Sequence, residues 1–437
     1  MKELYKKGDS MVTSILIILF ALLFLGVPIA FSIGLVSLYT LYENGTALLA
    51  LIPQRMFSGL DSFTFLAIPF FFLAGELMSK SKITEELMNF SFIIIGKLRG
   101  GLAYANILAS VFFAGITGAA LADVAALGAI EIPMMKEGGY DEEFAAAITV
   151  ASSIIGPIIP PSVIMVIYGS IMQVSIAALF LAGIIPGLLL ATILGIITYY
   201  YSKKRNYPIR EENYSFKEIL SSFYHAISAL IMPLILLGGI LSGAFTATEA
   251  ASVAAAYAFF VGFFLKKTLK LSDIPEILRK VSLNTAVIFL VLSTASIFTW
   301  ALGFARVPDQ IASAIVNLSD NVYIILFVIN IFLLIVGMLM DVGAALIILA
   351  PILAPVALEL GVHPLHFGII MSINLMIGLS TPPVGPCLFA AVSISDITIE
   401  KLSKAMVPFI IGMFILLLAI TYIPQITMFL PRIFGYI

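Results

Sequence analysis

Three prolines crowd five residues in Ser152-Ser153-Ile-Ile-Gly156-Pro157-Ile-Ile-Pro160-Pro161-Ser162, inside an otherwise apolar run. Proline lacks an N–H and clashes with the preceding turn, so no helix continues through this segment. A second break runs from Asn374 through Gly378-Leu-Ser380-Thr381-Pro382-Pro383-Val-Gly385. A continuous helix satisfies its own backbone groups and binds nothing with them. A break at membrane depth frees carbonyl oxygens and N–H groups, and is tolerated only where they line a site. Two small-residue segments read as hairpin tips that should meet these breaks: Gly115-Ile-Thr117-Gly-Ala-Ala-Leu-Ala-Asp123 and Gly337-Met-Leu-Met-Asp341-Val-Gly343. Carbonyls, hydroxyls and a carboxylate at each junction form a ligand set for a hard cation such as sodium. The helix N-termini after each break offer N–H donors and partial positive charge to an organic carboxylate.

On this chemistry the candidate ion-binding residues are Gly115, Thr117, Gly156, Pro160, Gly337, Asp341, Gly378 and Thr381. Ser162, Thr117, Asn374 and Ser153 are the candidates for contact with a substrate lying between the two ion sites. Asp341 carries the strongest case, because a carboxylate in hydrocarbon costs about 2.5–3.5 kcal/mol and rarely persists without a role. Asp123, Glu249 and Asn106 are ambiguous between site and structure. Asp123 has Ala345 as its counterpart in the repeat described below. Thr246-x-x-Glu249 reads as a capping box that opens a helix. Asn106, like Ser110, suits an interhelical hydrogen bond of roughly 0.6 kcal/mol. Arg306 reads as a snorkelling anchor.

These residues need positioning elements that cross a membrane. The chain of 437 residues is 61% hydrophobic and 11% charged, where a soluble domain carries roughly a quarter charged residues. A helix crosses with about 20 apolar residues, which leaves room for about ten crossings. The expected fold is an all-α polytopic membrane protein. An internal repeat organises it. Set Gly115 on Gly337: without a gap, Pro133 falls on Pro355, Gly139 on Gly361, Gly156 on Gly378, and Pro160-Pro161 on Pro382-Pro383. A weaker match pairs Gly26 with Gly243. The first repeat is read as 11–201, with a hairpin at 100–135 and a broken helix at 142–170. A cytoplasmic linker covers 202–222. The second repeat is read as 223–430, with a hairpin at 322–360 and a broken helix at 364–393.

Charge tests the relative orientation. With the repeats inverted, every Lys and Arg of the 23 falls on the cytoplasmic side except Lys2, Lys6, Lys7, Arg55, Arg306 and Arg432, as the positive-inside rule requires. The N-terminal lysines fit this topology poorly, with two crossings placed in 11–43. A single crossing there would be roughly 50 Å long at about 1.5 Å per residue, too long for the bilayer. Inverted repeats with interrupted helices mark secondary transporters.

Other classes are less well served. The net charge of −2 suggests no nucleic-acid partner, and the lone Cys387 makes no disulfide framework. His225, His363 and His366 lack the spacing of a transition-metal site with one another or with Cys387. No Ser/His or His-Glu-x-x-His arrangement supports an intramembrane enzyme. A channel also uses interrupted helices, but inverted hairpins favour alternating access.

The motifs resemble those of the large membrane (M) subunit of tripartite ATP-independent periplasmic (TRAP) transporters. The matching stretches include Arg55-Met-Phe-Ser-Gly-Leu-Asp-Ser-Phe63, Leu66-Ala-Ile-Pro-Phe-Phe-Phe-Leu-Ala-Gly-Glu-Leu77 and Gly100-Gly101 through Asn106. Gly115 to Asp123, Gly156 to Ser162, Phe245-Thr-Ala-Thr-Glu-Ala-Ala251 and Thr381-Pro-Pro383 complete them, so the resemblance covers nearly the whole chain. Thr117 stands where the family often has serine, which keeps the hydroxyl. The resemblance implies an elevator-type, sodium-driven carrier of a small organic acid anion, such as a C4-dicarboxylate, a sugar acid or a sialic acid, in the bacterial inner membrane. It also implies two partners, a small four-helix membrane subunit (Q) and a periplasmic substrate-binding protein (P). Sodium serves as coupling ion, with no cofactor. The alternative is a stand-alone divalent-anion/sodium symporter without a binding protein.

Overall fold

The computed structural model describes residues 14–15, 17–23, 25–81, 83–209, 214–307, 310 and 321–437, with the side chains at 46–47, 83–84 and 115–117 outside the description. The N-terminal lysines therefore lie outside the described residues. Every described element is helical. The first half contains α1 (Ile29–Asn44), the short α2 (Ile52–Ser58), α3 (Ala67–Lys80), α4 (Ile83–Ile95), α5 (Gly101–Thr117), α6 (Ala120–Glu137), α7 (Glu142–Ser153), α8 (Val163–Met172) and α9 (Ile176–Lys204). The second contains α10 (Phe216–Leu241), α11 (Ala247–Phe260), α12 (Ile274–Phe304), α13 (Val322–Leu339), α14 (Val342–Glu359), α15 (Pro364–Leu379), α16 (Pro386–Ser393), α17 (Ile399–Tyr422) and α18 (Gln425–Ile433).

Eight of the described helices are long and apolar enough to cross a membrane. Two of these eight, Val322–Leu339 and Val342–Glu359, are hairpin arms. α7 with α8, and α15 with α16, are each two half-helices separated by a break, at the places where the sequence reads broken helices. The sequence reading omitted α4, whose 13 residues fall short of a bilayer span. It packs between α5 and α10.

The same element order recurs in each half: hairpin, half-helix, break, half-helix, long helix. The punctuating residues occupy matching places. Pro133 lies inside α6, and Pro355 inside α14. Gly139 and Gly361 follow those helices with φ of +84° and +78°, a left-handed turn that only glycine adopts without strain. The weaker pair also matches, since Gly26 and Gly243 have φ of +78° and +73°. Pro160-Pro161 and Pro382-Pro383 are both cis.

The halves interlock. Half-helix α8 packs on α14 of the second hairpin, and half-helix α16 packs on α6 of the first. Tyr168 on α8 is fully buried and donates to the Pro364 carbonyl at the start of α15, 2.8 Å away. Gly368 on α15 leaves room for that ring, and a Cβ there would collide with it. Around this centre, α1, α3, α10, α11 and α12 pack on one another, with α11 against α3 the most extensive face. Lys266 anchors this group to α4 through Glu86, at 2.6 Å.

Candidate functional site

The first junction joins the tip of the α5–α6 hairpin to the break between α7 and α8. Gly118, not Gly115, forms the turn itself, with φ of +59°. Its Cα faces the break so closely that an added Cβ would sit 3.3 Å from the Pro161 carbonyl oxygen and 3.8 Å from Ser162 Cα. Gly115 and Thr117 lie in the last turn of α5, and the Thr117 side chain is outside the described residues. Ser162 is fully buried and caps α8, accepting from the Met165 N–H at 3.3 Å. The cap aims the N-terminus of α8 at the junction. Gly156 lies against Asp123 of α6, and a Cβ at 156 would collide with the Asp123 carboxylate. Asp123 is 1% exposed, so it lines the inside of the first junction. Ser153 donates to the Val150 carbonyl at 2.8 Å and also lies against Cys387 in the first turn of α16.

The second junction repeats this arrangement with different residues. An added Cβ on Gly337 would lie 2.6 Å from the Leu375 carbonyl oxygen and 3.2 Å from Gly378 Cα. The two glycines thus let the α13–α14 hairpin touch the end of α15 backbone to backbone. Asp341 is exposed and caps α14, accepting from the Ala344 N–H at 3.2 Å. Gly343, two residues on, faces Ile164 and Ile167 of α8. The second hairpin tip therefore lies beside the same half-helix that the first tip reaches at Ser162. Thr381 donates to the Ile377 carbonyl at 2.7 Å, which folds its hydroxyl back onto α15. Asn374 is fully buried and donates to the Asn330 carbonyl at 2.9 Å and to Asn330 Oδ1 at 2.8 Å. It ties α15 to the hairpin, in the interhelical role sequence reasoning gave to Asn106.

Two of the ambiguous residues make well-defined contacts with neighbouring groups. Thr246 and Glu249 form the capping box that opens α11, with Glu249 accepting from the Thr246 N–H at 2.8 Å. Asn106 is the centre of a buried cluster in the first hairpin. It donates to Glu131 at 2.6 Å and to Thr149 at 2.7 Å, and accepts from Ser152 at 2.6 Å. Glu131 escaped the sequence reading. The signal was present: between Ala119 and Met135 the only ionisable residues are Asp123 and Glu131, and such residues in apolar helices face the interior.

Cavities flank the junctions. One of about 660 Å³ is apolar and lies between 19–29 and the second hairpin, with Leu339 and Met340 next to Asp341 in its wall. Another of about 1040 Å³ opens at the base of that hairpin, lined by Tyr323, His363, His366, Tyr422 and Arg432.

A family model described as "Tripartite ATP-independent periplasmic transporter, DctM component" matches residues 16–426. The chain belongs to the DctM family. It is therefore a transporter component rather than an enzyme, and a multi-pass protein of the bacterial inner membrane. Among DctM relatives, the sialic acid TRAP transporter large permease protein SiaM of Vibrio cholerae is 41% identical over 95% of this chain and 97% of its own length. The C4-dicarboxylate TRAP transporter large permease protein DctM of Pseudomonas aeruginosa is 38% identical, over 92% of this chain and 94% of its own. The crystal structure of the Alcanivorax borkumensis YdaH transporter superposes with a TM-score of 0.62 at 14% identity, covering 89% of this chain and 88% of that one. That likeness concerns the fold alone.

Proposed function

We propose that the protein carries a small organic acid anion across the inner membrane, driven by sodium, after a periplasmic binding protein delivers it and with a small membrane subunit alongside. The observation that carries this reading is the pair of junctions, each a hairpin tip pressed on a helix break and both adjoining α8. One sodium ion occupies the first junction, among the Gly115–Thr117 turn, Gly156 and Pro160. Another occupies the second, among Gly337, Asp341, Gly378 and Thr381. Carbonyls, hydroxyls and Asp341 are oxygen ligands of the kind a hard cation takes. The substrate carboxylate lies between them, at the N-terminus of α8, where Ser162 and the first-turn N–H groups face it. The hairpins and half-helices slide as one body against α1, α3, α10, α11 and α12. The relatives' names support the substrate class, since sialic acid and C4-dicarboxylates are both carboxylates.

The melting part of the test needs no substrate. Thermal unfolding of the purified protein with its small partner is followed in sodium, potassium and choline chloride at equal ionic strength. A ligand that binds only the folded state, at about 100 times its Kd, adds about 2.7 kcal/mol. The expected result is a sodium-specific rise that Asp341→Ala diminishes, together with loss of uptake in that variant. Equal melting in all three salts, or wild-type uptake by Asp341→Ala, would overturn the assignment.

A further inference from the structure

The carboxyl group of Glu131 has no part in either junction. It sits in the middle of α6, fully buried. Its Oε2 accepts one hydrogen bond, from Asn106 Nδ2 at 2.6 Å. Its Oε1 is buried without a hydrogen-bond partner among the described residues. The neighbouring donors are already used. The second Asn106 amide hydrogen goes to Thr149 Oγ1, the Thr149 hydroxyl donates to the Ala145 carbonyl, and the Ser152 hydroxyl donates to Asn106 Oδ1.

The charged and titratable groups around it offer no compensating charge. From α5 the group facing it is Asn106, while Tyr104 of that helix turns towards Tyr199 and Ser202 at the rim. From α7 it meets Thr149 and Ser152. The acids of α7, Glu142 and Glu143, lie in its first turn and pair with Lys136 and Lys401. From α16 the nearest titratable group is Cys387, beside Ser153 and Asp123. On its own helix, Asp123 lies two turns away and carries the same sign, and Lys136 is engaged by Glu142 and Asp396. An ionised carboxylate here would be buried with one hydrogen bond, no described cation partner and a like charge nearby. That is the arrangement in which a carboxyl group takes up a proton.

The repeat shows that the fold does not require this group. At the offset that pairs Gly115 with Gly337, Glu131 falls on Leu353, a buried residue of α14, and Ser152 falls on Asn374. The hydrogen-bonding position is kept as a polar residue in both halves, whereas the carboxyl occurs in the first hairpin alone. We infer that Glu131, held by Asn106 and its Thr149–Ser152 partners, is a proton-binding site within the first hairpin. The reaction is simple: the carboxylate takes a proton from water or buffer and becomes a neutral acid. Because the proton is held only while α6 is packed on α5 and α7, proton binding favours this packed state, and rising pH opposes it.

Infrared difference spectroscopy tests this on the full chain in lipid, with neither sodium nor substrate needed. At neutral pH the wild type is expected to show the carbonyl stretch of a buried protonated carboxyl group. The band should shift when glutamate alone is labelled with carbon-13 at the side-chain carboxyl, which separates it from Asp123. E131Q should lose the band and D123N should keep it. Melting temperature should fall with rising pH more steeply in the wild type than in E131Q, or than in E131L, which copies the second hairpin. No glutamate-dependent band at neutral pH would overturn the proposal, as would identical pH slopes in wild type and both variants. The labelled wild-type measurement stands even if neither variant folds.

Discussion

At the scale of single residues, the junctions depend on what is missing as much as on what is present. Gly337 and Gly378 allow two backbones to touch, and the nearest atoms to an added methyl group are backbone atoms that cannot rotate away. Overpacking of this kind costs about 1–3 kcal/mol. Gly337→Ala is expected to lower the melting temperature and to weaken uptake further, because the carbonyls at the second junction must separate. A variant with wild-type melting would show that the hairpin yields freely. Ser162 works differently. Its hydroxyl caps α8, so Ser162→Ala should cost about 1 kcal/mol. If the hydroxyl also meets the substrate, as proposed, the KM for uptake rises as well; a change in melting alone would restrict Ser162 to capping. The Gly337 and Gly378 pair was legible in the sequence, because its spacing repeats that of Gly115 and Gly156. The turn at Gly118 was not singled out, because nothing in a run of small residues says which one adopts positive φ.

At the scale of elements, helix starts and stops were the most legible feature. The capping box at Thr246 and Glu249, the breaks at the two double prolines and the ends of both hairpins follow local rules that need no tertiary partner. Thr246→Ala should destabilise the protein by about 1 kcal/mol, read as a lower denaturation midpoint, while sodium-dependent melting stays intact. Loss of the sodium response in that variant would tie α11 to the ion sites. The omission of α4 has a physical cause. It is too short to cross the membrane and follows α3 closely, so hydropathy merges it with the connection to the hairpin. Its place became evident only from its packing between α5 and α10.

At the scale of the whole molecule, the halves are fastened along one rim. Lys136, at the end of the first hairpin, bonds Glu142 at 2.7 Å and Asp396, beyond α16, at 3.3 Å. Asp396 in turn donates its N–H to Glu142 at 3.0 Å. Nearby, Asp141 accepts from Arg205 and from Tyr207, the latter at 2.8 Å. The Lys136 hydrogen bond holds the Glu142 carboxyl below its ordinary value of 4.5, against the opposing effect of burial and with help from the Asp396 N–H. A lowered carboxyl contributes stability at pH above the unfolded value, and that contribution is lost as pH falls through the folded value. The hydrogen bonds to Glu142 and then Asp396 raise Lys136 above 10.5. Its contribution is present below that value and is lost as pH rises through the folded one. Melting from about pH 6 down to about pH 3 should therefore fall more steeply in the wild type than in Lys136→Ala. Parallel curves would show that the exposed rim is too well screened to matter.

The sequence by itself determined that the chain lives in a membrane, that it is all helix, that it contains two related halves, and where each half is interrupted. Those properties follow from hydropathy, proline chemistry and spacing, which are local or periodic. Only the tertiary structure decided that α8 adjoins both junctions, that Asn374 binds Asn330, and that Glu131 is buried against Asn106. These depend on residues far apart in the chain becoming neighbours. No local rule fixes that, because the same apolar faces could pack in many registers, and the backbone contacts at the glycines select one.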